Sequence, residues 1–138
     1  MSYLIDTVVI SELMRPEPNP GVDGFVRAAS PEGLFTSTIV LGEILLGLRR
    51  LPEGGRKARL ARQFSFLRGG FGGRVLPVGE RTAELWADIR ARALARGATI
   101  PAVDALIAAT ALEHELTIVT RNARDFVAAG ANVLTPWS

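Results

Sequence analysis

Two carboxylates stand alone in otherwise apolar stretches of the sequence. Glu43 is the only charged residue in segment 39–48, and Asp104 is the only one in segment 101–109. A helix that is apolar on all sides is usually buried, and a buried carboxylate is costly unless it pairs with a cation or binds a metal. An arginine partner is the simpler explanation for each, and for Glu43 taken alone it is the favoured one. The basic residues, however, cluster elsewhere in the chain.

A third carboxylate, Asp6, ends the short apolar run Tyr3–Ile5. The run Leu116–Val119 is likewise followed by polar residues, namely Thr120, Asn122 and Asp125. We interpret both runs as parallel strands. Ligands of such sheets bind beyond the carboxyl ends of the strands, near the point where the strand order reverses, so we expect these side chains at one edge. The structural alternative for Asp6 is an N-cap of the helix that follows it.

Strands that alternate with helices of about 10–16 residues predict an α/β fold with three layers, in which helices flank a parallel sheet of four or five strands. We expect a single domain over residues 1–138. The predicted strands are Tyr3–Ile5, Gly33–Ser37, Val75–Val78, Leu116–Val119 and Val133–Leu134. The predicted helices are Thr7–Met14, Gly21–Ala29, Ile39–Arg50, Arg56–Leu67, Arg81–Arg96 and Ala102–Glu115, the last with Pro101 in its first turn. The glycine cluster at 69–73 is predicted to be a loop.

Composition excludes several classes of protein. The 138 residues include no cysteine and a single histidine, His114, so disulfide scaffolds, cysteine-based zinc sites, thiol nucleophiles and multi-histidine metal sites are ruled out. No apolar run approaches the roughly 18–20 residues of a membrane span. We therefore expect a soluble, cytoplasmic protein.

Positive charge is concentrated in one part of the chain. Segment 49–74 has eight basic residues and one acid, for a net charge of +7, whereas the rest of the chain has a net charge of −5. The predicted helix Arg56–Leu67 places its arginines and lysine opposite an apolar side. The candidate RNA contacts on this helix are Arg56, Lys57, Arg59 and Arg62. The alternatives are a solvated helix face, or a face that meets acidic residues of a protein partner.

Carboxylates without cation side chains nearby favour a hard divalent cation. Mg²⁺, with Mn²⁺ as the alternative, takes oxygen ligands beside a phosphate substrate. In phosphodiester hydrolysis such an ion activates water, and an arginine-rich flank binds the phosphates of the strand. A P-loop is disfavoured because the glycine cluster lacks the Gly-Lys-Ser/Thr ending. A phosphoryl-accepting aspartate of the haloacid-dehalogenase kind is disfavoured because Val8 stands where a second aspartate is needed.

Several short motifs occur together in one order and spacing. They are Leu4-Ile5-Asp6-Thr7, Ile10-Ser11-Glu12-Leu13, Leu41-Gly42-Glu43, Pro101-Ala102-Val103-Asp104-Ala105-Leu106-Ile107-Ala108, Thr120-Arg121-Asn122 and Asp125-Phe126. In this combination the sequence strongly resembles PIN-domain proteins, especially the VapC/FitB-like toxins of type II toxin–antitoxin modules. The resemblance extends over the whole chain.

The resemblance implies a Mg²⁺-dependent endoribonuclease that forms a homodimer and is inhibited by a cognate antitoxin whose tail enters the acidic site. The implied catalytic and metal-binding acids are Asp6, Glu43, Asp104 and Asp125. Some family members place their last acid at the position of Asn122, so the fourth ligand stays open between Asn122 and Asp125. The resemblance further implies that Thr7 and Thr120 support the ligands or their waters.

One position departs from the family pattern. Asparagine usually follows the Asp-Thr pair, whereas this chain has Val8. Loss of that amide is expected to weaken metal binding or activity. The alternative function is therefore a PIN-like domain that binds RNA or a protein partner without cleaving RNA.

Overall fold

The computed structural model describes all 138 residues and has a parallel sheet of five strands at its centre. The strands are β1 (Tyr3–Ile5), β2 (Leu34–Ser37), β3 (Val75–Leu76), β4 (Thr117–Val119) and β5 (Val133–Leu134). Their order across the sheet is β3-β2-β1-β4-β5. The chain thus builds outward from β1 on one side, through β2 and β3, and then crosses to the other side for β4. The prediction of an α/β fold with a parallel sheet of four or five strands is confirmed.

Seven helices surround the sheet. They are α1 (Thr7–Leu13), α2 (Pro20–Ala28), α3 (Thr38–Arg49), α4 (Gly55–Phe71), α5 (Glu80–Ala95), α6 (Ala102–Glu113) and α7 (Ala123–Ala128), with a 3₁₀ turn at Pro31–Gly33. None of the seven has both the length and the apolar character that crossing a lipid bilayer requires.

Strand β1 lies in the middle of the sheet because it pairs on both sides. Leu4 is in register with Phe35 of β2 and with Ile118 of β4. Leu4 and Ile118 are fully buried and belong to a core of 23 apolar residues that also includes most of the inner side of α6. The strand order reverses between β1 and β4, so the crevice at their carboxyl ends is where a fold of this type places its ligand.

The prediction of a loop over the whole glycine cluster is wrong. Helix α4 continues through Gly69 and Gly70 to Phe71, and the chain leaves it only at Gly72, which has a φ of 54°. The extension is stabilised because Phe71 packs against the core and because Arg74 donates a hydrogen bond of 2.9 Å to the carbonyl of Gly70. Packing therefore outweighs the helix penalty of about 1 kcal/mol for each glycine.

The remaining differences from prediction concern single helices and leave the order of the strands unchanged. Helix α3 is not buried on all sides, since it buries only three residues and leaves Leu46 59% exposed. Pro101 lies immediately before α6 instead of in its first turn. Helix α7, six residues long, was not predicted from the sequence.

Candidate active site

Asp6 leaves the carboxyl end of β1 with its side chain held in the crevice. The residue is only 4% exposed, and its Oδ2 accepts a hydrogen bond of 2.7 Å from the hydroxyl of Thr120, which follows β4. Thr120 Oγ1 in turn accepts a hydrogen bond of 3.1 Å from the backbone N–H of Asn122. Asp6 occupies the N-cap position of α1, but its side chain makes no capping hydrogen bond. The carboxylate is therefore oriented mainly by Thr120 after the neighbouring strand, with a weaker contribution from the backbone N–H of Thr7.

The surroundings of Asp6 disfavour its negative charge. Burial raises the pKa of its carboxyl group above the ordinary value of 3.8, and the charge of Glu43 raises it further. Hydrogen bonds from the hydroxyl of Thr120 and from the backbone of Thr7 lower the pKa but do not cancel both effects. A cation in the crevice would stabilise the ionised form.

Glu43 reaches the same crevice from helix α3. This helix begins directly after β2, where the hydroxyl of Ser37 accepts a hydrogen bond of 3.1 Å from the backbone N–H of Val40 and so caps the helix. One turn later, Glu43 Oε1 accepts a hydrogen bond of 2.5 Å from the hydroxyl of Thr7. Two threonines, Thr7 and Thr120, thus each orient one acid.

Asp104 and Asp125 complete the acidic cluster. Asp104 lies in the first turn of α6 and Asp125 in the first turn of α7. The pKa of Asp104 is raised from 3.8 to about 6, first by desolvation and then by the charges of Asp6, Asp125 and Glu43. All four acids predicted from the sequence are therefore close enough to act on one another.

No cationic side chain compensates this cluster. The five ion pairs of the chain involve other acids, and none includes Asp6, Glu43, Asp104 or Asp125. No three acidic or histidine side chains lie close enough together to hold one metal ion between them, however. Mg²⁺ is usually held by one or two carboxylates together with waters and substrate oxygens, and all four acids offer the oxygen donors it prefers. The side chains fit a partly hydrated cation of this kind, whereas a fully ligated structural metal does not fit.

A groove of about 480 Å³ leads away from Glu43 between α1, α3 and α4. Of the four predicted RNA-binding residues, Arg56 and Arg59 line this groove. Lys57 instead forms an ion pair of 2.6 Å with Glu53. Arg62 is exposed but lies outside the groove. Two of the four predicted RNA contacts thus line the groove, and the other two do not.

Comparison with known families identifies the fold. The model of the PIN domain matches residues 3–131. The chain belongs to the PIN-domain family. It is 40% identical over 138 residues to the toxin FitB of Neisseria gonorrhoeae, with 97% of each chain covered. It is 35% identical over 135 residues to the VapC ribonuclease Y4jK of Sinorhizobium fredii, covering 97% of this chain and 96% of the relative.

Solved structures agree with this assignment. The crystal structure of FitAcB from Neisseria gonorrhoeae superimposes on this PIN domain with a TM-score of 0.92, at 39% identity and with 98% of both chains covered. The resemblance inferred from the short motifs is confirmed at the level of the family.

Val8, the departure from the family pattern, has a structural role in this PIN domain. Its side chain is half-buried and packs against the hydrophobic core. The polar contact next to Asp6 comes from Thr7, which binds Glu43. The chain therefore has no amide beside the first acid but keeps a hydroxyl there.

Sequence reasoning did not identify two polar residues of the groove, Ser11 and Arg15. Ser11 lies four residues after Thr7, which places both hydroxyls on one side of α1. This spacing was the available signal for Ser11. Arg15 follows the end of α1 and stands outside the arginine-rich segment, so charge clustering could not single it out.

Proposed function

We propose that this PIN domain is a Mg²⁺-dependent endoribonuclease and the toxin of a type II toxin–antitoxin module. The observation that carries the proposal is the group of four interacting carboxylates without any cationic side-chain partner. The names of the relatives, a toxin and a VapC ribonuclease, support the same activity.

Each residue of the crevice has a distinct task in this proposal. Asp6 and Asp104 would hold the cation, and the charges of Glu43 and Asp125 would attract it and contact its waters. We assign the fourth position to Asp125, because its charge acts on Asp104. Thr120 and Thr7 fix the carboxylate oxygens of Asp6 and Glu43, respectively. A bound Mg²⁺ would lower the pKa of an attacking water and neutralise charge on the phosphate.

A cleavage assay with single-stranded RNA tests the proposal. We expect the purified chain to cleave RNA with Mg²⁺ or Mn²⁺, and EDTA to abolish cleavage. Asp104→Asn is expected to remove activity, whereas Asp88→Asn, which removes an exposed acid from α5, keeps it. RNA binding without metal-dependent cleavage by the wild type would contradict the proposal and favour the non-cleaving alternative suggested by Val8.

Protein partners are part of the same proposal. An apolar cavity of about 480 Å³ opens between α1, α2 and α4, and beside it Phe66 is 82% exposed. Apolar surface of this kind suits an antitoxin helix, and the exposed Leu46 suits a second copy of the chain. Light scattering at micromolar concentrations tests the homodimer, and a monomer under these conditions would contradict it.

A further inference from the structure

We propose that the groove between α1, α3 and α4 is a phosphate track, in which Arg56, Arg59 and Arg15 bind the backbone of a single-stranded RNA and lead it to the carboxylates. This inference rests on the proposed function and adds to it the path of the substrate. Its basis is that these three arginines line the same groove as Glu43 and Thr7.

Much of the positive charge of segment 49–74 is already used inside the protein. Lys57 is paired with Glu53. Arg68 donates a hydrogen bond of 3.0 Å to the carbonyl of Gly72, and Arg74 donates one of 3.0 Å to the carbonyl of Leu34. These three cations fix the ends of α4 and have fewer donors left for a ligand. The number of basic residues in segment 49–74 is therefore larger than the number that are free to bind a ligand.

Arg56 and Arg59 differ from those residues. Both are exposed, and neither donates a side-chain hydrogen bond or forms an ion pair within the chain. They lie three residues apart on α4, about 4.5 Å along the helix axis, so both guanidinium groups face one groove. Their five N–H donors each are suited to the paired oxygens of a phosphodiester.

Arg15 extends the track along the other side of the groove. Its side chain is 66% exposed and is 3.4 Å from Glu12, a long contact that leaves most of its donors free. Arg15 also lines a neighbouring depression, where the guanidinium of Arg121 stacks over the ring of Trp137 at 5.6 Å. Glu12 and Glu17 line the same depression, so the track ends at Arg15.

The lining of the groove favours RNA over an acidic peptide. Between the arginines lie the apolar side chains of Leu48, Leu51 and Leu60, against which unstacked bases or riboses can pack. Near Glu43, a cation of the proposed function would offset the repulsion for a phosphodiester and for a carboxylate alike. The apolar lining is therefore what favours RNA, because an acidic peptide has no bases or riboses to pack against it.

The test is a binding experiment in EDTA, which prevents cleavage, with a fluorescent single-stranded RNA measured over a series of salt concentrations. Arg56→Ala and Arg59→Ala are each expected to weaken binding about tenfold at low salt and to flatten the log–log salt slope by about 0.7. Arg62→Ala is the matched control, since it removes the same charge one turn along the same helix. We expect its affinity to stay within about twofold of wild type, because it lies outside the groove.

Three results would overturn the track. They are no RNA binding by the wild type, equal effects of Arg59→Ala and Arg62→Ala, or displacement of the RNA by polyglutamate as efficiently as by unlabelled RNA. The last would identify the groove as a site for acidic peptides. Circular dichroism on each variant checks that it is folded.

The cleavage assay separates this inference from the proposed function. If the wild type binds RNA through Arg56 and Arg59 but never cleaves it with Mg²⁺, the proposed function is wrong and the track stands. If it cleaves RNA and the Arg56 and Arg59 variants match Arg62→Ala in KM and kcat, the track is wrong and the function stands. With both correct, Arg59→Ala raises KM and changes kcat little.

Discussion

Glu12 and Asp104 are two acids in apolar helical surroundings that have opposite electrostatic environments. Glu12, on α1, is only 7% exposed, yet its carboxylate accepts a hydrogen bond of 2.8 Å from the backbone N–H of Asn19 and lies 3.4 Å from Arg15. Asp104, on α6, is surrounded by the charges of three other acids. The first carboxylate has a cation and a backbone donor as partners within the chain, and the second has neither.

This difference shows which property of a buried acid indicates function. Burial alone does not, because Glu12 is the more buried of the two and anchors the loop that leads to α2. Lack of compensation does, because a fold gains nothing from placing like charges together unless a ligand neutralises them.

The largest expected difference between the two regions is in catalysis. If the proposed function is correct, Asp6→Asn should lower the rate of RNA cleavage more than about a hundredfold, because it removes one of the oxygens proposed to hold the cation. Glu12→Gln should keep a rate near that of wild type at temperatures where it is folded. Single-turnover cleavage measures both rates, and a similar loss in the two variants would remove the distinction between compensated and uncompensated acids.

Substitution of Glu12 should change the stability of the protein. Glu12→Ala leaves the half-buried N–H of Asn19 without its acceptor, so the free energy of unfolding should fall by about 1 kcal/mol. Urea titration followed by circular dichroism gives this value. An unchanged midpoint would mean that Glu12 does not hold the loop after α1.

Mg²⁺ should raise the free energy of unfolding only in proteins whose acidic crevice is intact. At a Mg²⁺ concentration ten times its dissociation constant, the wild type should gain about 1.4 kcal/mol. Thermal unfolding should show this gain in wild type and in Glu12→Gln, and a much smaller one in Asp104→Asn. Equal shifts in all three proteins would place the ion elsewhere.

The smallest effect concerns pH in the absence of metal. Because the pKa of Asp104 rises from 3.8 to about 6 on folding, the folded state binds more protons in this window, and stability falls as pH increases through it. Asp104→Asn should therefore be more stable than wild type at neutral pH. The gain should be about 1 kcal/mol, less than the full shift implies because water screens a partly exposed carboxyl. Below the window the two proteins should have similar stability, and a less stable Asp104→Asn at neutral pH would contradict the repulsion.

The sequence predicted the strands well because their signals are local. Tyr3–Ile5 and Val133–Leu134 are short apolar runs ended by polar residues or proline, and both are strands with the predicted bounds. Helix α7 escaped prediction because six residues provide less than two turns of apolar periodicity. The end of α4 was misplaced because the packing of Phe71 cannot be read from the two glycines that precede it.

The acids of the crevice could be selected from the sequence, but their pattern is shared by an acid outside the crevice. Glu12 also stands as a single charge among apolar residues of α1, so the same reasoning would have selected it. Only the fold separates it from Asp104, through the contacts with Asn19 and Arg15. Which basic residues of segment 49–74 are free to bind a ligand likewise depends on their side-chain partners. Sequence spacing does not reveal these partners, such as Glu53 for Lys57.

The hydrogen bond between Asp6 and Thr120 joins residues 114 positions apart. A ribosome therefore completes most of the chain before the crevice can assemble, because β4 and its threonine emerge long after β1. A nascent chain stopped before Asp104 carries two of the four acids and cannot form the cluster. Any activity of this crevice thus arises only near the end of synthesis, so the nascent chain lacks the complete cluster for most of its translation.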